Sequence, residues 1–193
     1  MLNPAFPIFF LICSAFVLLT LVTFSVPFIS SFYFLHSSVA GGIKYGIWGW
    51  CLDVDDSCSP KQFGYHEDPE LVPILIKLHV LFPIAAGFAL LASLNLIPVV
   101  CSRYRELYPF TLFAVLSFLA FVSSLAGFAV SIATWTIALD RFHRDGFQAS
   151  FGPLIWMSLA ATVILLLVAL NAVCGMLWSA SGGRRSSRII YTY

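Results

Sequence analysis

Four long apolar segments constrain this 193-residue chain more than any other feature of its sequence. Each exceeds the roughly 18 residues that mark a membrane-spanning helix, and Lys77 is the one Asp, Glu, Lys or Arg within them. The chain is 60% hydrophobic and 10% charged, whereas soluble domains carry about 25% charged residues. We therefore predict an integral membrane protein, which excludes a cytosolic enzyme, a secreted mini-domain and a nucleic-acid-binding protein. The predicted spans are residues 8–29, 74–101, 110–139 and 154–178.

The distribution of Lys and Arg orients these spans, because cytoplasmic segments of membrane proteins carry an excess of both. The short segments after the second and fourth spans hold five arginines and a single acid: Arg103, Arg105, Arg184, Arg185, Arg188 and Glu106. The longer segments on the other side, counted together with Lys77 at the start of the second span, hold five Lys or Arg and eight acids. We therefore predict that both termini are cytoplasmic and that residues 30–73 and 140–153 are extracellular loops.

This topology divides the chain into a four-span domain over residues 1–178 and a short basic cytoplasmic tail over residues 179–193. The first span is expected to stay uncleaved, because no Lys or Arg precedes it and no small-residue cleavage site follows. Tyr33, Trp135 and Trp156 would mark the outer membrane interface, where aromatic side chains concentrate. The lack of intramembrane acids disfavours an ion-coupled transporter.

Small residues recur every fourth position on two of the spans, which lets helix backbones approach closely in lipid. We predict that these two stripes pack together. Asn95 and Asn171 are lone polar residues near the inner leaflet, and we expect them to bridge helices. The stripes are Ala85, Ala89 and Ser93 on the second span, and Ser123, Gly127 and Ser131 on the third.

Two of the five cysteines, Cys51 and Cys58, fall in the predicted first extracellular loop. Extracellular space is oxidising, so a disulfide between them is favoured, with about 2.5 kcal/mol from loop closure. A zinc site is the competing interpretation, and it would need further ligands at metal spacing. Cys101 and Cys174 lie near the cytoplasmic ends of their spans, where they are either S-palmitoylation candidates or buried thiols.

The sequence just before the first of these loop cysteines carries the most specific motif in the chain. It reads Gly46-Ile47-Trp48-Gly49-Trp50-Cys51, and its surroundings are rich in strand-forming residues interrupted by glycine. We expect a small extracellular sheet on the helix ends. The Gly-apolar-Trp-x-x-Cys pattern with a second Cys resembles the signature of claudin-type four-span proteins. Gly-apolar-apolar-Gly-x-Cys…Cys, the opening residues 1–7 and the Gly64-Tyr65 pair resemble the fungal PalI family.

This resemblance implies a claudin-like fold: an all-α membrane protein with a four-helix transmembrane bundle and a small disulfide-bonded extracellular β-sheet. It also implies a non-catalytic plasma-membrane accessory protein of an ambient-pH response, with a seven-helix membrane sensor as partner. Relatives of this kind leave two alternatives open, an eisosome-type organiser of membrane domains and a protein linked to calcium influx in mating. A homo-oligomer is compatible with each of them.

The remaining polar residues do not indicate an enzyme. The first loop carries six acids against two lysines; a calcium site at 53–56 is conceivable, but a solvated acidic loop is favoured because the EF-hand spacing is absent. His36, His66 and His143 are predicted to face outward, but nothing in the sequence pairs them for sensing. The chain shows no catalytic or phosphate-binding motif, so we expect no catalytic residues, no cofactor, no metal and no partner beyond membrane lipid and membrane proteins.

Overall fold

The computed structural model describes residues 5–55, 57–60, 77–101 and 110–182. Four helices long and apolar enough to cross a bilayer form a bundle, in which α1 and α3 each pack on both α2 and α4. A 3-10 turn at Leu78–Val80 leads into the second helix. The helices are α1 (Ala5–Thr23), α2 (Leu81–Cys101), α3 (Phe110–Arg144) and α4 (Pro153–Gly182).

A four-stranded antiparallel sheet lies at one end of the bundle. Three strands come from the segment between α1 and α2, and the fourth comes from the segment between α3 and α4, so both connections meet at the same end. The strand order is β3-β2-β1-β4. The strands are β1 (Leu35–Ser37), β2 (Ile43–Tyr45), β3 (Trp50–Leu52) and β4 (Ala149–Phe151). The predicted claudin-like architecture, a four-helix bundle with a small sheet, is confirmed.

The helices differ in their ends from the predicted spans. The first helix stops at Thr23 instead of residue 29, because the following backbone bonds elsewhere: Val26 N donates to the carbonyl of Phe32 at 3.0 Å. The third helix continues past residue 139 to Arg144, so the predicted second loop begins as helix. The fourth helix runs to Gly182, which places residues 179–182 of the predicted tail in the helix. Residues 74–76 and 183–193 lie outside the described part.

The interior of the bundle is built from small and branched side chains. Alanines are buried on all four helices, and between them lie Ile12, Leu19 and Leu165. Between α3 and α4, the hydroxyls of Ser124 and Thr162 share a hydrogen bond of 2.8 Å. Small side chains allow the helices to come close in lipid, where van der Waals packing and such hydrogen bonds hold helices together.

Candidate functional site: the disulfide-bonded sheet

The predicted disulfide between Cys51 and Cys58 is confirmed, with a Cα–Cα distance of 4.1 Å. It closes a hairpin in which β3 turns back on residues 57–59. Leu52 N donates to Ser57 O at 2.9 Å, and Ser59 N donates to Trp50 O at 2.9 Å. The Ser59 hydroxyl also accepts a hydrogen bond from Trp50 N at 3.0 Å. The bridge therefore fixes the edge of the sheet at β3.

The glycine-tryptophan motif anchors this hairpin to the end of α1. A Cβ on Gly46 would lie 2.9 Å from both the backbone N and the Cβ of Val26, and it would collide with the Val26 carbonyl oxygen. Only glycine lets the two backbones approach so closely. Ile47 N then donates to the Ser25 hydroxyl at 3.0 Å, and Trp48 Nε1 donates to the Thr23 carbonyl at 2.7 Å. The motif thus satisfies a carbonyl that the end of the helix leaves without an intrahelical partner.

An aromatic cluster fills the space between the sheet and the helix ends. Phe34 stacks on Trp135 with ring centroids 5.5 Å apart, and Tyr45 contacts both Trp135 and Phe142. His79 is buried in the same cluster. Trp135 is 1% exposed, so the prediction that it marks the membrane interface is wrong: it is a core residue that packs beneath the sheet.

The segment between α3 and α4 adds the fourth strand of the sheet, which was not predicted from the sequence. In β4, Ser150 pairs with His36 of β1. Ser38 N donates to Gln148 O at 2.8 Å, and Gly152 N donates to Phe34 O at 2.7 Å. Because α3 and α4 flank β4, this strand ties the sheet to both of these helices, in addition to the contact of the motif with the end of α1. The local signal in the sequence was weak, since Ala149–Phe151 is only three residues long.

The outward face of the sheet carries a polar network around Asp53. Residues directly opposite each other in a sheet share a face, and His36 lies opposite Lys44. The Asp53 carboxylate joins the two, with one oxygen 2.7 Å from Lys44 Nζ and the other 2.9 Å from His36 Nε2. The Lys44 hydrogen bond, with a smaller contribution from His36, holds the pKa of Asp53 below its usual value.

The small-residue stripes lie inside the bundle. All six of these residues are buried, and a Cβ on Gly127 would lie 3.3 Å from the Phe82 ring. Gly127 therefore faces the first turn of α2, which agrees with the expected approach of α2 and α3. Ser123 donates to the carbonyl of Leu119 in its own helix. The contribution of the stripes to helix association stays a prediction.

The two asparagines were predicted to bridge helices, and the hydrogen bond that each makes among the described residues is to its own helix. Asn95 Nδ2 donates to Leu91 O and Asn171 Nδ2 donates to Leu167 O, each at 2.8 Å and each within its own helix. Asn171 is exposed on the outer surface of α4. An asparagine side chain is short enough to return to the preceding turn of its helix, and here it does so.

The remaining site predictions fall partly outside the described residues. Cys174 is exposed on α4, whereas the side chain of Cys101, at the end of α2, is not among those described. S-palmitoylation at either cysteine stays a prediction. Asp56 and His66 also lie outside. Within the described ranges, no group of three His, Cys, Asp or Glu residues is placed to hold a metal ion.

The fold and the site together define a multi-pass membrane protein of claudin-like architecture, with four spanning helices and a disulfide-bonded sheet on their ends. The chain belongs to the SUR7/PalI family, whose profile matches residues 2–78 and 74–168.

Two curated relatives are similar over a shorter stretch. The pH-response regulator protein palI/RIM9 of Pyricularia oryzae is 34% identical over 67 residues, 35% of this chain and 9% of that protein. The pH-response regulator protein palI/prr-5 of Neurospora crassa is 37% identical over 67 residues, 34% of this chain and 9% of that protein. The matched stretch thus spans less than a tenth of either relative's length.

Proposed function

We propose that this protein is a non-catalytic accessory subunit of a fungal alkaline-pH signalling complex in the plasma membrane. In this role it assists the surface localisation or the stability of a seven-helix sensor. The observation that carries the proposal is membership of the SUR7/PalI family across the spans, together with two similar proteins named pH-response regulators. Both termini would be cytoplasmic, and the sheet would face the medium.

The construction of the sheet supports a role in binding a partner. The disulfide, the contacts of Gly46 and Trp48 with the end of α1, and the pairing of β4 with β1 all restrict its movement. A surface that is already ordered loses less conformational entropy when a partner binds. The sheet therefore suits a docking platform for an extracellular part of the sensor.

Polar and apolar groups lie side by side on the outer surface of this platform. Val54 is 66% exposed directly after β3, and its Cγ2 lies 2.6 Å from the position that a Cβ on Gly41 would occupy. Beside it, Asp53 joins His36 and Lys44. An exposed aliphatic tip bordered by a fixed ion-pair network offers both apolar area and orientation to a partner.

The lowered pKa of Asp53 supports a sheet whose charge at this position stays the same over the pH range of the response. A carboxyl whose pKa lies below 3.8 stays ionised from mildly acid to alkaline medium. The negative charge of Asp53 is then constant across the range in which an alkaline response switches. Asp53 would therefore supply no pH switch, and in this proposal the sensor carries the pH-dependent change.

The test measures the plasma-membrane level of a fluorescently tagged seven-helix pH sensor in cells with and without this protein, at acid and alkaline pH. The proposal expects loss of surface sensor and poor alkaline growth when the protein is absent. An unchanged sensor level at both pH values would refute it.

A pair of variants locates the contact on the sheet. Val54→Asp places a charge on the exposed tip and should lower the surface sensor level. Asp55→Asn, at the next exposed position, is the matched control and should leave the sensor level as in the wild type. Both variants must reach the membrane with the Cys51–Cys58 disulfide formed. An equal sensor level with Val54→Asp would exclude this tip as the contact.

A second candidate function is an organiser of static membrane domains. The outer surface of the spanning helices favours it, because Asn171 exposes an amide on α4 beside the exposed apolar side chains of Leu167 and Leu170. Tracking the tagged protein in living cells separates the two candidates. Immobile clusters that persist at every pH, with an unchanged sensor level, would favour the organiser.

A further inference from the structure

Two amides lie at the outer surface of the bundle, inside the predicted membrane spans. Asn95 is half-buried within the span Leu78–Pro98, and Asn171 is exposed within the span Pro153–Gly175. Among the described residues, each has a hydrogen bond to its own helix through Nδ2. An amide also carries a second N–H and a carbonyl oxygen with two lone pairs. In hydrocarbon these groups gain by meeting another polar group across a helix interface.

The two amides lie at the same depth in the bundle. Gly127 of α3 faces Phe82 of α2, and Ser124, three residues further from the sheet, is hydrogen-bonded to Thr162 of α4. Asn171 follows Thr162 by nine residues, which places it roughly 18 Å below the level of Gly127 at 1.5 Å per residue. Asn95 follows Phe82 by thirteen residues, roughly 20 Å below the same level. The two amides therefore differ in depth by about one residue along the helix axis.

The outer faces of α2 and α4 match along a common register. On α2, Gly87, Leu91 and Asn95 follow one another at intervals of four; on α4, Val163, Leu167 and Asn171 do the same. We call these the α2 ridge and the α4 ridge. Leu91 is 48% exposed, and Val163 and Leu167 are each 47% exposed. Around Gly87, a Cβ would meet nothing within 4 Å.

We propose that the α4 ridge of one molecule binds the α2 ridge of a second copy of this chain, with Asn171 hydrogen-bonded to Asn95 of the neighbouring copy. Both helices run away from the sheet, so two molecules inserted in the same orientation bring the ridges together in parallel. Val163 then fits the gap above Gly87, and Leu167 packs against Leu91. The amide pair satisfies a donor and an acceptor on each side.

A second copy fits this surface because its amides lie at the matching depth in the membrane. Any copy with the same orientation presents its amides at the same level of the membrane, and the amide of asparagine is both donor and acceptor. The ridges lie on opposite corners of the bundle, since α2 and α4 each pack on α1 and α3. Contacts between different surfaces generate rings or open rows instead of closed pairs. The inference therefore assigns a lateral, head-to-tail association, and it does not depend on the proposed role in pH signalling.

The test is energy transfer between donor-labelled and acceptor-labelled copies in lipid vesicles. Asn95→Leu retains the α4 amide, and Asn171→Leu retains the α2 amide. Each variant mixed only with itself should associate about 3- to 30-fold more weakly than the wild type, the range for one interhelical hydrogen bond. Mixing the two variants should restore transfer, because one complete Asn171–Asn95 contact can form. Thr111→Leu, an exposed polar position on α3 away from both ridges, is the matched control and should associate as the wild type does.

Gly87→Leu supplies an independent variant, because it fills the gap opposite Val163 without meeting any atom of its own chain. It should weaken association while the Cys51–Cys58 disulfide still forms. The proposal is refuted if the wild type shows no transfer above a non-associating membrane protein, or if both leucine variants associate as strongly as the wild type. Retained association of Asn95→Leu alone would point to a symmetric α4 pair, and failure of the mixture to restore transfer would likewise overturn the head-to-tail contact.

Discussion

The substitution Gly46→Ala tests how the sheet is held on the bundle. The new methyl group would lie 2.9 Å from the backbone N and the Cβ of Val26 and closer still to its carbonyl oxygen. Because two of these three atoms belong to the backbone, no side-chain rotation relieves the collision and the segment must move. Overpacking of this kind costs about 1–3 kcal/mol. Movement would also weaken the hydrogen bonds from Ile47 N and Trp48 Nε1, each worth about 0.5–1.5 kcal/mol.

The assay is thermal unfolding in lipid nanodiscs followed by tryptophan fluorescence. Gly46→Ala should clearly lower the midpoint temperature of unfolding. Gly175→Ala is the matched control, because a Cβ there would meet nothing within 4 Å and alanine favours a helix by up to about 1 kcal/mol. Equal midpoints for the two variants would refute the steric reasoning, and they would show that the contact with Val26 is not needed to hold the sheet.

Three further predictions concern the disulfide, the ion pair and the helix interface. Cys51→Ser should be less stable than the oxidised wild type by about 2.5 kcal/mol. A wild-type unfolding midpoint that is the same with and without a reductant would contradict this. The contribution of Asp53 should be fully present above pH 3.8 and lost as pH falls through its lowered pKa. Asp53→Asn should lack this loss, so an equal fall in stability below pH 3.8 in the wild type and in Asp53→Asn would contradict the prediction. Ser124→Ala and Thr162→Val should show a coupling of about 0.6–2 kcal/mol in a double-mutant cycle, and strictly additive effects would exclude it.

The spans could be predicted from the sequence, but their ends could not. Hydropathy marks the stretch that is too apolar for water, and all four such stretches are helices. It does not distinguish a helix from an apolar turn, and residues 24–29 remain apolar after α1 ends at Thr23. What ends this helix is a set of partners distant in sequence, such as Ile47 N on the Ser25 hydroxyl. Local patterns do not contain that information.

Only part of the sheet could be predicted, because the rest depends on contacts between segments distant in sequence. The glycine-tryptophan motif and the two cysteines indicated a disulfide-bonded sheet, and both are present. The strand β4 and the buried position of Trp135 depend on contacts between segments more than a hundred residues apart, as in the bond from Gln148 N to the Ser38 hydroxyl. An isolated tryptophan near the end of an apolar span is equally typical of an interface anchor and of a core residue.

The residues of the glycine-tryptophan motif contact other parts of the same molecule, whereas a partner can contact only residues on the outer surface. Gly46 faces the backbone of Val26, and Trp48 donates its indole N–H to the end of α1, so the motif is used within the molecule. The exposed position Val54 lies outside it. Resemblance in the motif therefore argues for a shared architecture, whereas the choice of partner must depend on the outward residues. Exchanging residues 53–54 for those of a relative should change partner binding and leave the disulfide intact; loss of the fold from this exchange would contradict the separation.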